Sequence, residues 1–195
     1  MEGDSRNRCW GGVDEVGRGP LAGPVVAVAL WLPSDHGILG LKDSKQLRPE
    51  MRARLVPQIR AVALSLAVAS VSADEIDRVN IHVATLLAMR LAVMALVPRP
   101  PGVWVDGRFV PPMDIPAEAR VCADARFEAV SAASIVAKEY RDRLMIHCER
   151  LYPGYGFSRH KGYPTRLHLE ALDRLGPCPL HRTTFAPVRD HLART

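Results

Sequence analysis

Apolar residues recur along this chain in short runs, separated by polar, glycine-rich or proline-rich segments, and this pattern predicts alternating strands and helices. A first strand is predicted over Arg8–Val16, and an apolar, β-branched run predicts a second over Val25–Leu32, where Pro33 ends it. The segment between them, Gly17–Pro24, has the glycine and proline content of a turn. We therefore expect the two strands to form an antiparallel hairpin.

A helix and a third strand are expected after the hairpin. Pro49 suits the first position of a helix, which we predict over Met51–Ala63. Pro57 lies inside that helical pattern, and an interior proline predicts a kink. The chain then returns to a strand-like apolar pattern over Leu64–Val71.

The middle of the chain predicts two more helices and two short strands. Ser72–Glu75 has the spacing of a capping box and begins a short helix, and a long helix follows from Ile81 to Val97. Apolar residues then precede an aspartate in Val103–Gly107 and again in Arg120–Asp124. These two segments predict strands that each carry an acid at the carboxyl end.

The last third of the chain is expected to be mainly helical. A helix begins at Glu128 and stops before Pro153, a basic and aromatic loop covers Tyr152–Pro164, and Thr165–Leu175 is an amphipathic helix. No periodicity is visible from His181 onward. The alternation of strands and helices along the whole chain predicts an α/β fold with parallel strands in its sheet.

Length and hydropathy limit the class of protein. The 195 residues, of which 48% are hydrophobic, fit one globular domain over residues 1–195, with 152–195 as a C-terminal loop and helical extension. The apolar run Ile81–Val97 is interrupted by polar residues and is shorter than the roughly 20 residues that a bilayer requires. Met1–Arg8 lacks the apolar segment of a secretory signal. We expect a cytoplasmic protein with no membrane segment.

Cysteine usage and charge bear on cofactors and partners. The four cysteines form no Cys-x-x-Cys pair and the histidines do not cluster, which argues against a zinc site and against a disulfide framework. The net charge is +5, and arginine greatly outnumbers lysine. Arginine makes bidentate contacts to phosphate, although codon bias could produce the same composition. The charge alone is thus compatible with a nucleic-acid partner without requiring one.

Four acidic residues lie where predicted strands end. Asp14 and Glu15 are near the end of the first strand, and Asp106 and Asp124 follow later apolar runs. Ligands of α/β sheets gather at the carboxyl ends of strands, so these acids could converge. Converging carboxylates repel one another unless a cation neutralises them, and an oxygen-only ligand set favours Mg²⁺ or Mn²⁺. Two such ions can together hydrolyse a phosphodiester.

Simpler explanations of the acids remain open from spacing alone. Asp106 and Asp124 could merely begin turns, as aspartate commonly does. Asp14 and Glu15 are adjacent on a strand, where side chains alternate between faces, so a shared site would require the strand to end or bulge there. The neighbouring Gly17-Arg18-Gly19 is an ordinary turn sequence, but its glycines also allow a ligand close to the main chain and its arginine suits phosphate.

At the level of whole motifs, the sequence resembles bacterial ribonuclease HII, a type 2 ribonuclease H. The related ribonuclease HIII group typically has Gly-Lys-Gly where this chain has Gly17-Arg18-Gly19, which favours HII. The segments that carry the resemblance are ordered along nearly the whole chain: Gly12–Val25, Asp43–Lys45, Ile76–Asp77, Asn80–Ile81, Ala84–Met89, Val105–Gly107, Ala132–Lys138, Arg141–Asp142, Tyr155–Phe157, His160–Thr165, His181–Arg182 and Phe185–Val188.

The resemblance implies a fold and an activity. The fold is ribonuclease H-like: a mixed five-stranded sheet flanked by helices, with a small C-terminal helical extension. The activity is endonucleolytic hydrolysis of RNA in RNA–DNA hybrids, including cleavage 5′ of a single ribonucleotide embedded in duplex DNA. It implies two divalent ions, Mn²⁺ or Mg²⁺, and 5′-phosphate and 3′-hydroxyl products, with a role in removing ribonucleotides from DNA. A monomer is expected, and the tail has no aromatic motif that would identify a sliding clamp as a partner.

The resemblance also implies residue roles. Some are metal ligands, others sense the ribose 2′-hydroxyl or the junction with DNA, and one contacts a phosphate. The residues that match are Asp14, Glu15, Asp106 and Asp124 for metal, Gly17, Arg18 and Gly19 for the ribose, Tyr163 for the junction and Lys45 for phosphate.

Three residues depart from the family pattern, two of them before the fourth acid and one after the third. Cys122-Ala123 replaces the usual Lys-Gly before Asp124, which removes one positive charge, and Arg108 stands where asparagine is frequent. We hypothesise that Arg108 or Arg126 supplies the missing charge. An alternative function is a catalytically silent protein that binds RNA–DNA hybrids, but phosphate binding alone does not require four acids.

Overall fold

The computed structural model describes residues 9–194, and in this part of the chain five strands form one mixed sheet. Its strand order is β3-β2-β1-β4-β5. β1 pairs antiparallel with β2, and β2 with β3, whereas β1–β4 and β4–β5 are parallel. The strands are β1 (Gly11–Val16), β2 (Val25–Trp31), β3 (Ser65–Val71), β4 (Val103–Asp106) and β5 (Ala117–Arg120). The predicted mixed five-stranded sheet is confirmed.

Helices cover both faces of this sheet. α3 packs on one face, and α1 and α4 pack on the other. The helices are α1 (Pro49–Val62), α2 (Ala73–Val79), α3 (Ile81–Met94), α4 (Glu128–Leu151), α5 (Phe157–His160), α6 (Arg166–Leu175) and α7 (Ala186–Leu192), and two short 3₁₀ turns cover Ser44–Gln46 and Ala123–Ala125. The result is a three-layer α/β/α arrangement.

Strand periodicity divides the core into two clusters. On β2, Ala27 and Ala29 pack with Met89 of α3, whereas Val28 and Leu30 pack with α1 and α4. All four of these strand residues are fully buried, as expected for a strand covered on both sides. Helix α4 lies directly on β1, and it therefore determines what surrounds Asp14.

The predicted helices are confirmed with small shifts of their ends. Pro57 lies inside the continuous helix α1, so the expected kink does not interrupt it. The long helix ends at Met94 rather than at Val97. Helices α5 and α7 were not predicted, because a helix of four or seven residues contains too few turns to show a clear period.

Two strand predictions need comment. The first strand begins at Gly11, and Arg8, where the prediction began, lies outside the described residues. The strand predicted over Arg120–Asp124 is wrong in its position along the chain, because β5 covers Ala117–Arg120. After it, Cys122 adopts a left-handed conformation with φ of 56°. β5 is an edge strand without a fully buried side chain, so its sequence lacks an apolar run.

The C-terminal extension packs against the turn after β1. Leu21 lies with Leu172 of α6 and Val188 of α7, and Ala22 packs with Phe157 of α5. The extension therefore contacts the segment that precedes β2 rather than forming a separate appendage.

Among the described residues, no helix is both long enough and apolar enough to cross a membrane.

Candidate active site

The pairing of β1 with β4 brings the first two acidic positions together. Val13 pairs with Val105, so Asp14 and Asp106, the next residue on each strand, lie side by side at the carboxyl edge of the sheet. The β1 register continues through Glu15 to Val16, so no bulge interrupts it. The convergence predicted from the strand ends is confirmed for these two strands.

Asp124 reaches the same edge by another route. It lies on the 3₁₀ turn Ala123–Ala125 after β5, not at the end of a strand. The amide of Ala123 donates a 2.8 Å hydrogen bond to Asp106 Oδ1, and the hydroxyl of Ser131 on α4 donates to the Asp124 carbonyl at 2.5 Å. This turn is thus fixed to both β4 and α4, which places Asp124 beside Asp106.

Asp14 is the most deeply buried of the four acids, with 6% of its surface exposed. Burial, then the charge of Glu15, and then that of Asp106 raise the pKa of its carboxyl group well above the ordinary value. A hydrogen bond with the Ser134 side chain and one of 2.7 Å from the Glu15 amide act in the opposite direction. The deprotonated carboxylate is therefore held in a position where it is poorly solvated.

Glu15 and Asp124 share this electrostatic strain. Burial raises the pKa of Glu15 and of Asp124, and the charge of Asp106 raises both further. Lys45 lowers the pKa of both groups, and Arg18, whose Nη1 lies 3.8 Å from Glu15 Oε1, also lowers that of Glu15. Lys45 and Arg18 are therefore the basic residues that offset the acids here, and a contribution of Arg108 or Arg126 stays a hypothesis.

The donor set fits a hard divalent cation. It contains carboxylate oxygens alone, and the repulsion among the four groups is what a bound cation would relieve. Within residues 9–194, no three His, Cys, Asp or Glu side chains already stand close enough together to hold a metal ion. Two of the oxygens instead accept backbone hydrogen bonds, at Asp14 and at Asp106.

The residues expected to contact substrate lie beside the acids. Gly17 and Gly19 flank Arg18 directly after β1, and the exposed Tyr163 lies next to Gly19, since a β-carbon added there would be 3.8 Å from the Tyr163 ring. Lys45 lies on the 3₁₀ turn Ser44–Gln46, and its ammonium interacts electrostatically with all four acids. The structure therefore brings all of these predicted residues to one edge of the sheet.

Sequence reasoning missed several residues that support this edge. The Ser134 hydroxyl on α4 lies between the Asp14 carboxyl group and the Ser44 hydroxyl, which is 2.8 Å away. Asp43 adds a fifth negative charge near Asp124 and also caps the turn that carries Lys45. Ser134 and Asp43 both lie in segments that carry the family resemblance, Ala132–Lys138 and Asp43–Lys45. That resemblance was the only sequence signal for their place beside the acids.

Comparison with known proteins agrees with this geometry. A family model described as Ribonuclease HII matches residues 11–188. The chain belongs to the ribonuclease HII family. It is 55% identical to Ribonuclease HII 2 of Methylibium petroleiphilum, over 93% of this chain and 83% of that protein. It is 54% identical to Ribonuclease HII of Nitrosococcus oceani, over 93% of this chain and 90% of that one.

A solved structure supports the same fold. The crystal structure of ribonuclease H2 from Pyrococcus horikoshii superposes with a TM-score of 0.81 at 29% identity, covering 94% of this chain and 96% of that one. Ribonuclease HII enzymes are metal-dependent endoribonucleases that act on RNA–DNA hybrids, and as a member of the family this chain has that activity. The expected family and fold are therefore confirmed.

Proposed function

We propose that this ribonuclease HII cleaves the RNA strand of RNA–DNA hybrids and also cuts 5′ of single ribonucleotides embedded in duplex DNA. The observation that supports this specificity is the position of the Gly17–Gly19 turn and Tyr163 directly beside the acids at the sheet edge. Such cutting would begin the removal of ribonucleotides from DNA. We further propose a monomeric, cytoplasmic protein with one catalytic domain over residues 1–195.

The four acids are proposed as the ligands of two divalent ions, Mg²⁺ or Mn²⁺. When bound, these ions would activate water and stabilise the leaving oxygen, giving 5′-phosphate and 3′-hydroxyl ends. The chain contributes the positions of the carboxylates: Asp14 through its buried hydrogen bonds and Asp106 through the Ala123 amide. These contacts keep like charges close together before any cation arrives.

The remaining residues are proposed to choose and hold the substrate. The 2′-hydroxyl is the group by which a protein tells RNA from DNA, and exposed amides at Arg18 and Gly19 can bind it. Tyr163 can stack on a sugar or base at the junction beside that turn. Lys45 has a pKa raised above its ordinary value, mainly by Asp43 and Asp14, so it stays charged and can contact a phosphate.

The proposal is tested with a DNA duplex that contains one ribonucleotide, incubated with Mg²⁺ or Mn²⁺. We expect one cut, 5′ of the ribonucleotide, with a 3′-hydroxyl on the upstream fragment, and no cut in a duplex of the same sequence made only of DNA. An RNA–DNA hybrid serves as the positive control. Cutting of the hybrid alone would reject the specificity for single ribonucleotides, and binding without any cutting would instead favour a silent hybrid-binding protein.

Substituting the two glycines of the turn separates fold from recognition. In Gly17→Ala the added methyl would lie 2.3 Å from Arg141 Nε at φ of 93°, so we expect a loss of about 1–3 kcal/mol in the free energy of unfolding. Gly19→Ala has nothing nearer than 3.8 Å, so its stability should be unchanged. Its methyl points toward Tyr163, and we expect kcat/KM for the single-ribonucleotide duplex to fall about tenfold.

Urea unfolding and steady-state cleavage of the two variants provide the measurements. The test depends on which variant loses stability and which loses activity. Gly17→Ala should be the less stable variant, and Gly19→Ala should be as stable as the wild type but less active. Wild-type activity in Gly19→Ala would contradict a substrate contact at this glycine.

A further inference from the structure

Two arginines lie beneath the Gly17–Pro24 turn and have no part in the chemistry proposed above. The side chains of Arg141 on α4 and Arg182 before α7 are fully buried, with 0% of each residue exposed. In the part of the chain that the structure describes, neither guanidinium forms an ion pair with a carboxylate. A buried charge is unfavourable unless other groups satisfy it, so the partners of these side chains reveal what they do.

All hydrogen bonds of the Arg182 side chain to other described residues go to main-chain carbonyls. Its Nη1 donates to the carbonyl of Arg18 at 2.8 Å, and its Nη2 donates to that of Gly17 at 2.6 Å. Its Nε and Nη2 also donate to the carbonyl of Gly23, at 3.0 and 2.8 Å. One planar side chain from the C-terminal extension therefore holds both ends of the turn.

Arg141 completes the arrangement from the other side. Its Nε donates to the carbonyl of Pro24 at 3.0 Å and its Nη2 to that of Ala22 at 3.1 Å. Its Nη1 donates to the carbonyl of Lys161 at 2.9 Å, two residues before Tyr163. Arg141 therefore links the turn to the loop that carries Tyr163.

These bonds determine the direction of the amides. In a trans peptide the N–H points away from the carbonyl of the same unit. Arg182 holds the carbonyls of Gly17 and Arg18 toward the interior, so the amides of Arg18 and Gly19, which share those peptide units, point away from it. Neither amide donates a hydrogen bond to another described residue, and both residues are exposed.

We propose that Arg182 and Arg141 are positioning residues for ribose recognition: by binding the carbonyls of the Gly17–Pro24 turn from inside the protein, they aim its free amides at the substrate. The proposal rests on the proposed reading of the 2′-hydroxyl by this turn. A lysine could not replace either arginine, because a single ammonium on a flexible chain cannot span three separate carbonyls. Arg182 spans those of residues 17, 18 and 23, and Arg141 spans those of residues 22, 24 and 161. The C-terminal extension thus forms part of the recognition site.

The test compares Arg182→Lys and Arg141→Lys with Arg143→Lys as the matched control. Arg143 also lies on α4, but its side chain is exposed and pairs with Glu139. For each protein, KM is measured for a duplex with one ribonucleotide, and the inhibition constant is measured for the same duplex without it. We expect the preference for the ribonucleotide duplex to fall about tenfold in the two test variants, with inhibition by DNA changed less than about twofold.

Hydrogen exchange of the same proteins supplies a second readout that does not depend on substrate. The amides of Leu21 and Gly23 bond to carbonyls of the extension, at Gly162 and Leu180, so they report how firmly the turn is held. We expect both to exchange at least about tenfold faster in Arg182→Lys, with β2 and β3 unchanged. In the kinetic test, the preference for the ribonucleotide duplex is the ratio of the inhibition constant of the DNA duplex to KM. A smaller folded fraction in a variant therefore does not change it.

The outcomes separate this proposal from the proposed function. If the wild-type protein shows no preference for the ribonucleotide duplex, ribose recognition by the turn is wrong, and hydrogen exchange still decides whether the arginines hold it. If the wild type shows the preference and the variants keep it, the positioning role is overturned even if they are less stable. Unchanged exchange at Leu21 and Gly23 overturns it as well.

Discussion

Replacing Asp14 with asparagine is expected to reduce cleavage at least about 10³-fold while making the metal-free protein more stable. Asparagine removes the charge that a divalent cation would bind, so activity falls. It keeps an oxygen that can accept from the Glu15 amide, and its amide group can donate to Ser134. Since the carboxylate is buried and repelled by its neighbours, removing its charge should stabilise the fold by about 1 kcal/mol or more.

The pH dependence of stability provides a check on this explanation. Asp14, Glu15 and Asp124 all have raised pKa values in the folded protein, so between the ordinary and the raised values the native state binds more protons than the unfolded state. The contribution of these three groups to the free energy of unfolding therefore falls as pH rises, from about pH 4 up through the raised pKa values. His168 and His181, whose pKa values burial lowers to about 4, contribute in the opposite direction between about pH 4 and 6.5, so the comparison is made between the wild type and Asp14→Asn at each pH. Asp14→Asn should weaken this dependence.

Urea unfolding in EDTA at about pH 5 and pH 7 measures both effects. Asp35→Asn is the matched control, because Asp35 is exposed and follows β2, at the opposite end of the strands from Asp14. Added Mg²⁺ or Mn²⁺ should stabilise the wild type more than Asp14→Asn. An Asp14→Asn protein that is less stable than the wild type at pH 7 would show that the carboxylate is not strained.

The convergence of the acids was predictable because it depends on local signals. Asp14 and Asp106 each come directly after apolar residues of their strands, and parallel pairing of these adjacent strands then places them side by side. The position of Asp124 was predicted correctly for the wrong reason. Its strand ends at Arg120, and the left-handed Cys122 redirects the chain, which is a conformation that the residue type does not indicate.

The supporting residues were not predictable in the same way. Arg182 bonds to Gly17 across 165 positions of sequence, and although His181–Arg182 is among the segments that carry the resemblance, nothing there indicates what the arginine contacts. Ser134 looks like any small residue in a helix that packs closely, and only the fold shows its contact with Asp14. Local patterns locate the chemistry here, whereas the residues that orient it depend on tertiary contacts.

Gly12→Ala is expected to cause a large loss of stability, larger than Gly11→Ala, the other alanine substitution of a glycine in β1. A methyl group at this position would lie 2.2 to 2.4 Å from backbone atoms of Ala129 and Val130, in the first turn of α4. Backbone atoms cannot move aside as a flexible side chain can, so the helix must separate from the strand. We expect a loss of about 3 kcal/mol or more, which for a chain of this size lowers Tm by roughly 6–12 °C.

The same displacement should impair catalysis in the fraction that remains folded. Helix α4 carries Ser131, which bonds to the Asp124 carbonyl, and Ser134, which contacts Asp14. A shift of about 1 Å between β1 and α4 would therefore move two acids relative to each other, and such misplacement can reduce rates about 10²-fold. Cleavage is measured well below the Tm of the variant, with the active fraction determined by titration.

Gly19→Ala is the control for this substitution, because it adds the same methyl group in the same part of the chain without a close contact. The two variants should differ strongly in Tm, although both are expected to lose activity. If Gly12→Ala melts within about 2 °C of the wild type, the close approach of β1 to α4 is not a requirement of the fold. If it melts early but cleaves normally per folded molecule, then α4 stabilises the sheet without positioning its acids.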